Sequence, residues 1–429
     1  MAEGGLRRDI GLTGSAFLAF NGVVGAGIFA LPGPLHASFG GFAPWLFPIF
    51  GLLAMLIALP FARLAALFLT SGGPVAYTAT FGPVASFQVG WLYYVAKLTS
   101  IAANANVFAT YAGLGVGTGR IAVIVALIGA LAFVNVVGVK RAVRALDLLT
   151  LLKAPPLVGL ALWGLSHTTA GLPAPGPVPP LSALEASALV LLYAFVGFEN
   201  AAVPAEETAN PGRNIPRALV FTIASTAVLY FLVQLGYAAV MPAGPAPDAP
   251  LAAYAERLIG PAGATLLAVT AMLSVAGNLG AGMISTPRVT YAMAAQERLP
   301  GWFGRISPRF ATPVNSILFM AIAAIALAVS GSFVWLAIVS TLARLFAYAA
   351  SIAALPKAKS VALNWVLATA GLLVCVWAAA QSKWESWAML GGFVLAGFLL
   401  YVLARRQAGS SSAATVSSIQ PPPSTRSPS

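Results

Sequence analysis

The segment Gly22-Val23-Val24-Gly25-Ala26-Gly27-Ile28-Phe29 lies inside the first long apolar stretch of a 429-residue chain. Its three glycines fall within six residues and weaken a helix, because glycine loses more backbone freedom on ordering than any other residue. In a membrane, an interrupted helix is tolerated only where its backbone is buried in protein or lines a cavity. Close packing of helices through small residues is an alternative explanation. The meaning of the segment therefore depends on whether the chain crosses a membrane.

The composition is typical of an integral membrane protein. Hydrophobic residues make up 59% of the chain and charged residues 8%, whereas about 25% of an ordinary soluble domain is charged. So few charges cannot cover a water-soluble surface, and so much apolar sequence excludes a disordered chain. The net charge of +12 is typical of basic cytoplasmic loops, so we expect a lipid bilayer and no nucleic acid as partner. With one cysteine, Cys375, and two histidines, we expect no disulfide framework, no metal site and no cofactor.

Twelve apolar stretches have the length of a membrane-spanning helix, which takes about 20 residues. They lie near residues 13–36, 42–69, 84–113, 121–138, 147–166, 186–204, 217–241, 262–293, 313–330, 333–355, 361–380 and 385–404. We therefore predict an all-α polytopic membrane protein with 12 transmembrane helices. Residues 1–12 are predicted to form an N-terminal tail, residues 13–406 a single domain, and residues 407–429, rich in Ser and Pro, a disordered tail.

Basic residues indicate the orientation, since cytoplasmic loops carry an excess of Lys and Arg. If the N-terminus is cytoplasmic, the outer loops hold only three of the 23 Lys and Arg residues, namely Arg120, Arg257 and Lys383. Three more lie within predicted spans: Lys97, Lys153 and Arg344. All others fall on the cytoplasmic side. We therefore predict a multi-pass protein of the cell inner (plasma) membrane with both termini in the cytoplasm.

A second interruption is predicted in span 6, which contains Tyr193-Ala194-Phe195-Val196-Gly197-Phe198-Glu199-Asn200. An ionisable residue such as Glu199 is costly inside a span, so it indicates a functional site; a structural hydrogen bond to a neighbouring helix is the alternative. Spans 1 and 6 correspond if spans 1–5 (about 13–166) and spans 6–10 (about 186–355) are two repeats. Paired interruptions in corresponding spans favour a binding site between inverted repeats.

The chemistry of two such interruptions suits a zwitterion. The half-helix that begins near Gly27 presents unpaired N–H groups, which attract a carboxylate. The half-helices that end near Val24 and Val196 present unpaired carbonyls, which attract an ammonium. Since an α-amino acid carries both groups, it fits the predicted site.

Several motifs together resemble one family. They are Gly25-Ala26-Gly27-Ile28-Phe29 in span 1, Phe195-Val196-Gly197-Phe198-Glu199 in span 6, the loop from Glu206 to Arg217, the segment from Arg288 to Pro300 and the pair Gly72-Gly73-Pro74 and Phe81-Gly82-Pro83. Their order and spacing resemble the amino acid–polyamine–organocation transporters along nearly the whole chain. The resemblance implies a five-plus-five inverted repeat with broken helices 1 and 6, and spans 11 and 12 appended.

The resemblance also implies amino-acid uptake or exchange by alternating access. By similarity, Gly25, Ala26 and Gly27 would bind the substrate carboxylate. The carbonyls of Val24, Phe195 and Val196 would bind the ammonium. Phe198 or Tyr193 would close over the ligand as an aromatic gate.

Lys153 in span 5 is predicted to couple transport to protons. In sodium-driven relatives a cation lies between spans 1, 5 and 8, and in sodium-independent relatives a lysine of span 5 can supply that charge. An ammonium can donate to the same oxygen atoms, for which we expect the Gly22 carbonyl and Ser274, and it can release a proton during the cycle. A lysine that extends its amine to the membrane surface is the alternative interpretation.

Two further basic residues lie within spans, and their roles stay open. Lys97 would disfavour lysine-like substrates and attract an acidic side chain, or it would be a structural partner of Glu199. Arg344 would pair with a helix-end carbonyl or with Glu199, and we expect it to lie outside the binding site. Glu199 itself is predicted to contact the substrate.

The sequence therefore predicts secondary transport of a small neutral amino acid, sodium-independent and either proton-coupled or exchanging. The alternatives are a transporter of another amine or of an acidic amino acid metabolite and, more remotely, a channel or a non-transporting sensor. A polycation is disfavoured because Glu199 is the only acid well inside a span. An enzyme is not expected, since no nucleophile–base pair or metal cluster is evident. The oligomeric state does not follow from the sequence.

Overall fold

The computed structural model describes residues 10–69, 72–137, 140–166 and 174–417, and the regular elements of this part of the chain are helices. Its α-helices are α1 (Leu12–Val23), α2 (Ala26–Ala30), α3 (Pro32–Phe39), α4 (Ala43–Leu67), α5 (Pro74–Tyr77), α6 (Pro83–Tyr111), α7 (Thr118–Val137), α8 (Lys140–Ser166), α9 (Leu181–Tyr193), α10 (Pro211–Val240), α11 (Pro250–Ala295), α12 (Val314–Ser330), α13 (Phe333–Ala358), α14 (Ala362–Ala380) and α15 (Trp384–Ser417). Short 3-10 helices span Gly40–Phe42, Thr78–Phe81, Phe198–Ala201, Ala205–Glu207 and Gly301–Gly304. A single parallel bridge, Ile10 to Thr208, is the extended pairing in these residues.

The helices have the length and composition that a bilayer requires. Within the described ranges, eight segments are long and apolar enough to cross a membrane, and α1 and α12 are shorter apolar helices. Large apolar side chains face outward, among them Phe133 on α7 and Ile322 on α12. Such an exposed surface fits lipid rather than water. The all-helical, membrane-spanning class predicted from composition is therefore confirmed, whereas the count of twelve spans stays a prediction.

The first predicted span is interrupted where its glycines lie. Helix α1 ends at Val23, α2 begins at Ala26, and the two residues between them, Val24 and Gly25, have non-helical dihedral angles. After α2, the chain continues into α3 at Pro32, a position at which proline is tolerated because the first N–H groups of a helix have no internal partner.

A second interruption follows α9. That helix ends at Tyr193, and the chain then passes through Gly197, whose φ of 109° lies in the left-handed region that favours glycine. A 3-10 helix from Phe198 to Ala201 follows. The predicted interruption of this segment is therefore present at the expected residues.

The packing of the long helices surrounds both interruptions. Helix α6 packs between α11 and α13, and α10 packs along α4. Helix α8 contacts α10 and α11, while α1 contacts α10 and the 3-10 helix Phe198–Ala201. The two non-helical segments are thus enclosed by α6, α8, α10, α11 and α13.

The ends of the chain differ partly from the sequence-based expectation. Helix α15 continues through Ser417 and so extends into the segment predicted to be disordered from residue 407. Residues 418–429 and residues 1–9 of the predicted N-terminal tail lie outside the described residues.

Candidate functional site

The two interruptions touch through their backbones. A Cβ atom placed on Gly22 would lie 2.3 Å from the carbonyl oxygen of Gly197, and one placed on Gly197 would lie 2.3 Å from the carbonyl oxygen of Gly22. A Cβ atom on Gly27 would lie 3.1 Å from Cα of Ala194. Glycine is therefore required at Gly22 and Gly197 because two main chains approach closely there.

A narrow gap of about 10 Å³ lies between the interruptions, a volume that holds no more than about one water molecule. The gap is lined by Gly25, Ala26 and Gly27, the residues expected to bind a substrate carboxylate. The N–H of Ala26 donates to Oδ1 of Asn104 at 3.2 Å. An amide oxygen thus occupies the position at which a carboxylate oxygen is expected, and the gap is closed in this conformation.

A larger cavity of about 290 Å³ adjoins the gap. The two spaces share Gly22, Ser100, Asn278 and Arg344 in their linings. The larger one lies among α1, α6, α11, α13 and the residues that follow the second interruption. Its volume is near the lower end of ligand-binding cavities, so it suits a small molecule.

Lys153 of α8 lies at the end of α1. Its side chain is 1% exposed, and its ammonium donates to Oδ1 of Asn21 at 2.7 Å, to the carbonyl of Val24 at 2.8 Å and to the carbonyl of Asn21 at 3.5 Å. The predicted contact between span 5 and the interruption of span 1 is therefore present. Its expected acceptors, the Gly22 carbonyl and Ser274, are wrong: the Gly22 carbonyl accepts from Asn278 at 3.5 Å. Ser274 is buried on α11, and its Oγ has no hydrogen-bond partner among the described residues.

Lys97 of α6 lines the larger cavity. Its ammonium donates to Oδ1 of Asn200 at 2.5 Å and lies 5.3 Å from the ring centroid of Tyr93. The hydroxyl of Tyr93 also donates to Oδ1 of Asn200, at 3.4 Å. Lys97 therefore shares its amide acceptor with a second donor.

Glu199 is fully buried and holds Arg344 rather than lining the cavity. Nε of Arg344 donates to Oε1 of Glu199 at 3.4 Å, and the other carboxylate oxygen accepts from the hydroxyl of Tyr348 at 2.7 Å and from the N–H of Gly197 at 2.9 Å. Arg344 also donates to Ser340. The expected contact between Glu199 and substrate is therefore corrected to an internal ion pair, and Arg344, expected outside the site, lines both spaces.

The aromatic residues divide into packed ones and one at the gap. Phe198 packs against Phe61, with ring centroids 5.8 Å apart, and against Tyr348, at 5.4 Å. Tyr193 lines the gap, and its hydroxyl lies 3.1 Å from Oγ of Ser100. Of the two residues expected to act as an aromatic gate, the structure thus brings Tyr193 to the gap and places Phe198 in an aromatic cluster.

The other predicted residues of the second interruption also separate. Phe195 packs against Phe47 and Tyr230, whereas Val196 lines the gap. Sequence reasoning did not assign Asn21, Asn200 or Thr286 to the site, although all three line the larger cavity. For Asn200 a signal existed, because an amide directly after Glu199 continues the polar segment within an apolar span.

The sequence model described as amino acid permease matches residues 10–419. The chain belongs to the amino acid permease family. An uncharacterised transporter of Mycobacterium tuberculosis is 30% identical to this permease over 331 residues, which cover 75% of this chain and 74% of that protein. The methylthioribose transporter of Bacillus subtilis is 26% identical, with 75% of each chain covered. The cadaverine/lysine antiporter of Escherichia coli is 26% identical, with 73% of each chain covered.

The family confirms the resemblance to amino acid–polyamine–organocation transporters. This permease is therefore a multi-pass membrane transporter of amino acids or related amines, and it is not an enzyme. The methylthioribose transporter and the cadaverine/lysine antiporter carry different substrates, so the substrate of this permease has to be argued from its site.

Proposed function

We propose that this permease carries small neutral α-amino acids by alternating access, independently of sodium, in symport with protons or by exchange. The observation that carries the proposal is the ammonium of Lys153, which lies 2.8 Å from the carbonyl of Val24 at the interrupted end of α1. A fixed positive charge that donates to the helix end makes a bound sodium ion unnecessary there. Loss of its proton would weaken those contacts and so link protonation to the position of α1.

The interruptions support an α-amino acid as the substrate. The N–H groups of Gly25, Ala26 and Gly27 would bind its carboxylate, once Asn104 releases the N–H of Ala26. The carbonyls of Val24, Phe195 and Val196 would bind its ammonium, and Tyr193 would close over it. Because the gap and its adjoining cavity measure about 10 and about 290 Å³, the side chain is expected to be small.

The charges around the cavity argue against a polycation. Among its lining residues, the charged side chains are Lys97 and Arg344, and both are cations. Glu199, which precedes the lining residue Asn200, already accepts hydrogen bonds from Arg344 and Tyr348. A diamine would therefore meet like charges and no available carboxylate.

The architecture that accompanies this proposal is the twelve-span inverted repeat. The two interruptions, at Val24–Gly25 and after Tyr193, support spans 1–5 and 6–10 as the repeats, with α14 and α15 appended. Residues 13–406 would form the transporter domain of a protein in the cell inner membrane, with both terminal segments cytoplasmic. The larger cavity would then open toward the cytoplasm.

Uptake by purified protein in proteoliposomes tests the proposal. The assay would use a panel of radiolabelled amino acids, with and without an inward proton gradient, and with sodium replaced by choline. We expect proton-stimulated or exchange-driven uptake of alanine or serine in choline. Uptake that requires sodium would contradict the role of Lys153, and an ion conductance without occluded transport would favour a channel. If the protein shows no uptake and no counterflow of any amino acid, the result would favour another amine as substrate or a sensor function.

A further inference from the structure

One charged group of the cavity has no role in the proposed binding of the amino acid backbone. Lys97 lines the cavity from α6, where it is partly buried. An ammonium has three N–H donors, and among the described residues Lys97 has one hydrogen-bond acceptor, the neutral amide of Asn200. Donor capacity and a positive charge are therefore left for a ligand.

The charge balance of the cavity points to an anionic ligand group. The other lining cation, Arg344, is paired with Glu199, whose oxygens accept from Arg344, Tyr348 and the N–H of Gly197. The carboxylate of Glu199 thus has three hydrogen-bond donors of its own and does not line the cavity. In the described part of the chain, Lys97 and Arg344 together have one neighbouring carboxylate, so one positive charge is left without a counter-charge. Such a charge costs free energy away from water, and a carboxylate in the cavity would offset that cost.

A second polar group in the cavity lining supports the same conclusion. Thr286 of α11 lines this cavity and is 1% exposed, yet its Oγ1 has no hydrogen-bond partner among the described residues. Buried hydroxyl groups are usually hydrogen-bonded. An unpaired hydroxyl and an underused ammonium in one small cavity are both donors, and a carboxylate accepts from both.

We propose that Lys97, assisted by Thr286, is the residue that selects the charge of the substrate side chain. The cavity would then bind the side-chain carboxylate of a small acidic amino acid, admit neutral side chains and reject cationic ones. This inference rests on the proposed function, because the interruptions must hold the α-amino and α-carboxyl groups. Lys97 as the structural partner of Glu199 is the competing explanation, and the ion pair of Glu199 with Arg344 disfavours it.

The test compares two labelled amino acids of nearly equal size, aspartate and asparagine, in proteoliposome uptake. The readout is the ratio of their kcat/KM values, which cancels differences in the amount of active protein. We expect the wild type to transport both, and Lys97→Gln to lower the ratio of aspartate to asparagine at least about tenfold, the effect of one hydrogen bond to a charged group. Lys97→Arg should leave the ratio nearly unchanged, and Thr286→Val should lower it by about threefold.

Lys357→Gln is the matched control, since Lys357 stands over the ring of Phe81, at 4.4 Å, and does not line the cavity. It removes a positive charge and should leave the ratio unchanged. A wild-type protein that transports asparagine or alanine but neither transports nor is inhibited by aspartate would overturn the inference and leave the proposed function intact. An unchanged ratio in Lys97→Gln would also overturn it. No transport of any of these amino acids would instead defeat the proposed function itself.

Discussion

Lys153 and Lys97 lie inside the described part of this permease, and their surroundings differ. Lys153 has acceptors for all three of its N–H groups, at 2.7, 2.8 and 3.5 Å, and two of these acceptors are backbone carbonyls at the end of α1. Lys97 has one amide acceptor and faces a cavity. The first ammonium is thus enclosed by the protein, whereas the second is only partly satisfied by it.

The comparison teaches that burial of a charge does not by itself reveal its use. A cation whose donors are all satisfied by main chain and one amide is suited to hold the ends of helices in place. A cation that has unused N–H donors and lies in the same cavity as an unpaired hydroxyl is suited to bind a substrate group. The hydrogen-bond partners of each lysine, rather than its depth, are the basis for proposing a coupling role for Lys153 and a selecting role for Lys97.

The largest effect is expected from Lys153→Met, which keeps the length of the side chain and removes its charge. Uptake should fall at least about 100-fold, since the lost hydrogen bonds of a charged group are worth about 1.5–3 kcal/mol each. The measurement is proteoliposome uptake with and without a proton gradient, with Lys357→Gln as the control. Proton-stimulated uptake that survives in Lys153→Met would remove the coupling role and with it one side of the comparison.

A second effect, on stability rather than on uptake, is expected from the ion pair between Glu199 and Arg344. Glu199→Gln or Arg344→Met should each lower the free energy of unfolding by about 3–5 kcal/mol, because each leaves a buried charge unpaired. The double variant should lose less than the sum, since the two side chains contact one another. Denaturant unfolding in detergent measures this coupling.

A double-mutant cycle on Lys97 and Glu199 tests which cation is the structural partner of Glu199. We expect a weaker coupling between them than between Arg344 and Glu199, because Lys97 donates to Asn200 and not to the carboxylate. A coupling as large as that with Arg344 would show that Lys97 is a structural partner and would make the two lysines alike.

The smallest effect is expected from Asn200→Ala. Asn200 accepts from Lys97 at 2.5 Å and would compete with a substrate carboxylate for the same ammonium. Its removal should raise the preference for aspartate over asparagine about three- to tenfold, the value of one ordinary hydrogen bond. Asn106→Ala is the control, because Asn106 lies on α6 with Lys97 but donates to the carbonyl of Ala328. A lowered preference would mean that Asn200 holds the substrate rather than competing with it.

The sequence predicted most of the features that are unfavourable in a membrane-spanning helix and therefore stand out in an apolar span. Interruptions at Gly22–Gly27 and before Glu199 were evident because glycine and charge are unfavourable inside an apolar span. The contact of Lys153 with the first interruption also followed, but its acceptors did not, since they depend on the rotation and depth of α8 against α1. For Glu199, two cations on neighbouring spans were available, and only their three-dimensional distances distinguish Arg344 from Lys97. The orientation of Phe198 follows from the turn at Gly197, whose φ is not visible in a one-dimensional pattern.

The contact between Gly22 and Gly197 limits how this family member can change its cargo. Neither position has space for even a methyl group, since the opposing carbonyl oxygen lies 2.3 Å from where it would stand. The main-chain contacts that hold the interruptions together are therefore closed to substitution, and new substrates have to be reached through the cavity wall. If Lys97 and Thr286 select the substrate as proposed, a single substitution at either would alter selectivity and leave the junction unchanged. The contact between Gly22 and Gly197 is thus fixed in sequence, whereas the residues of the cavity wall can vary.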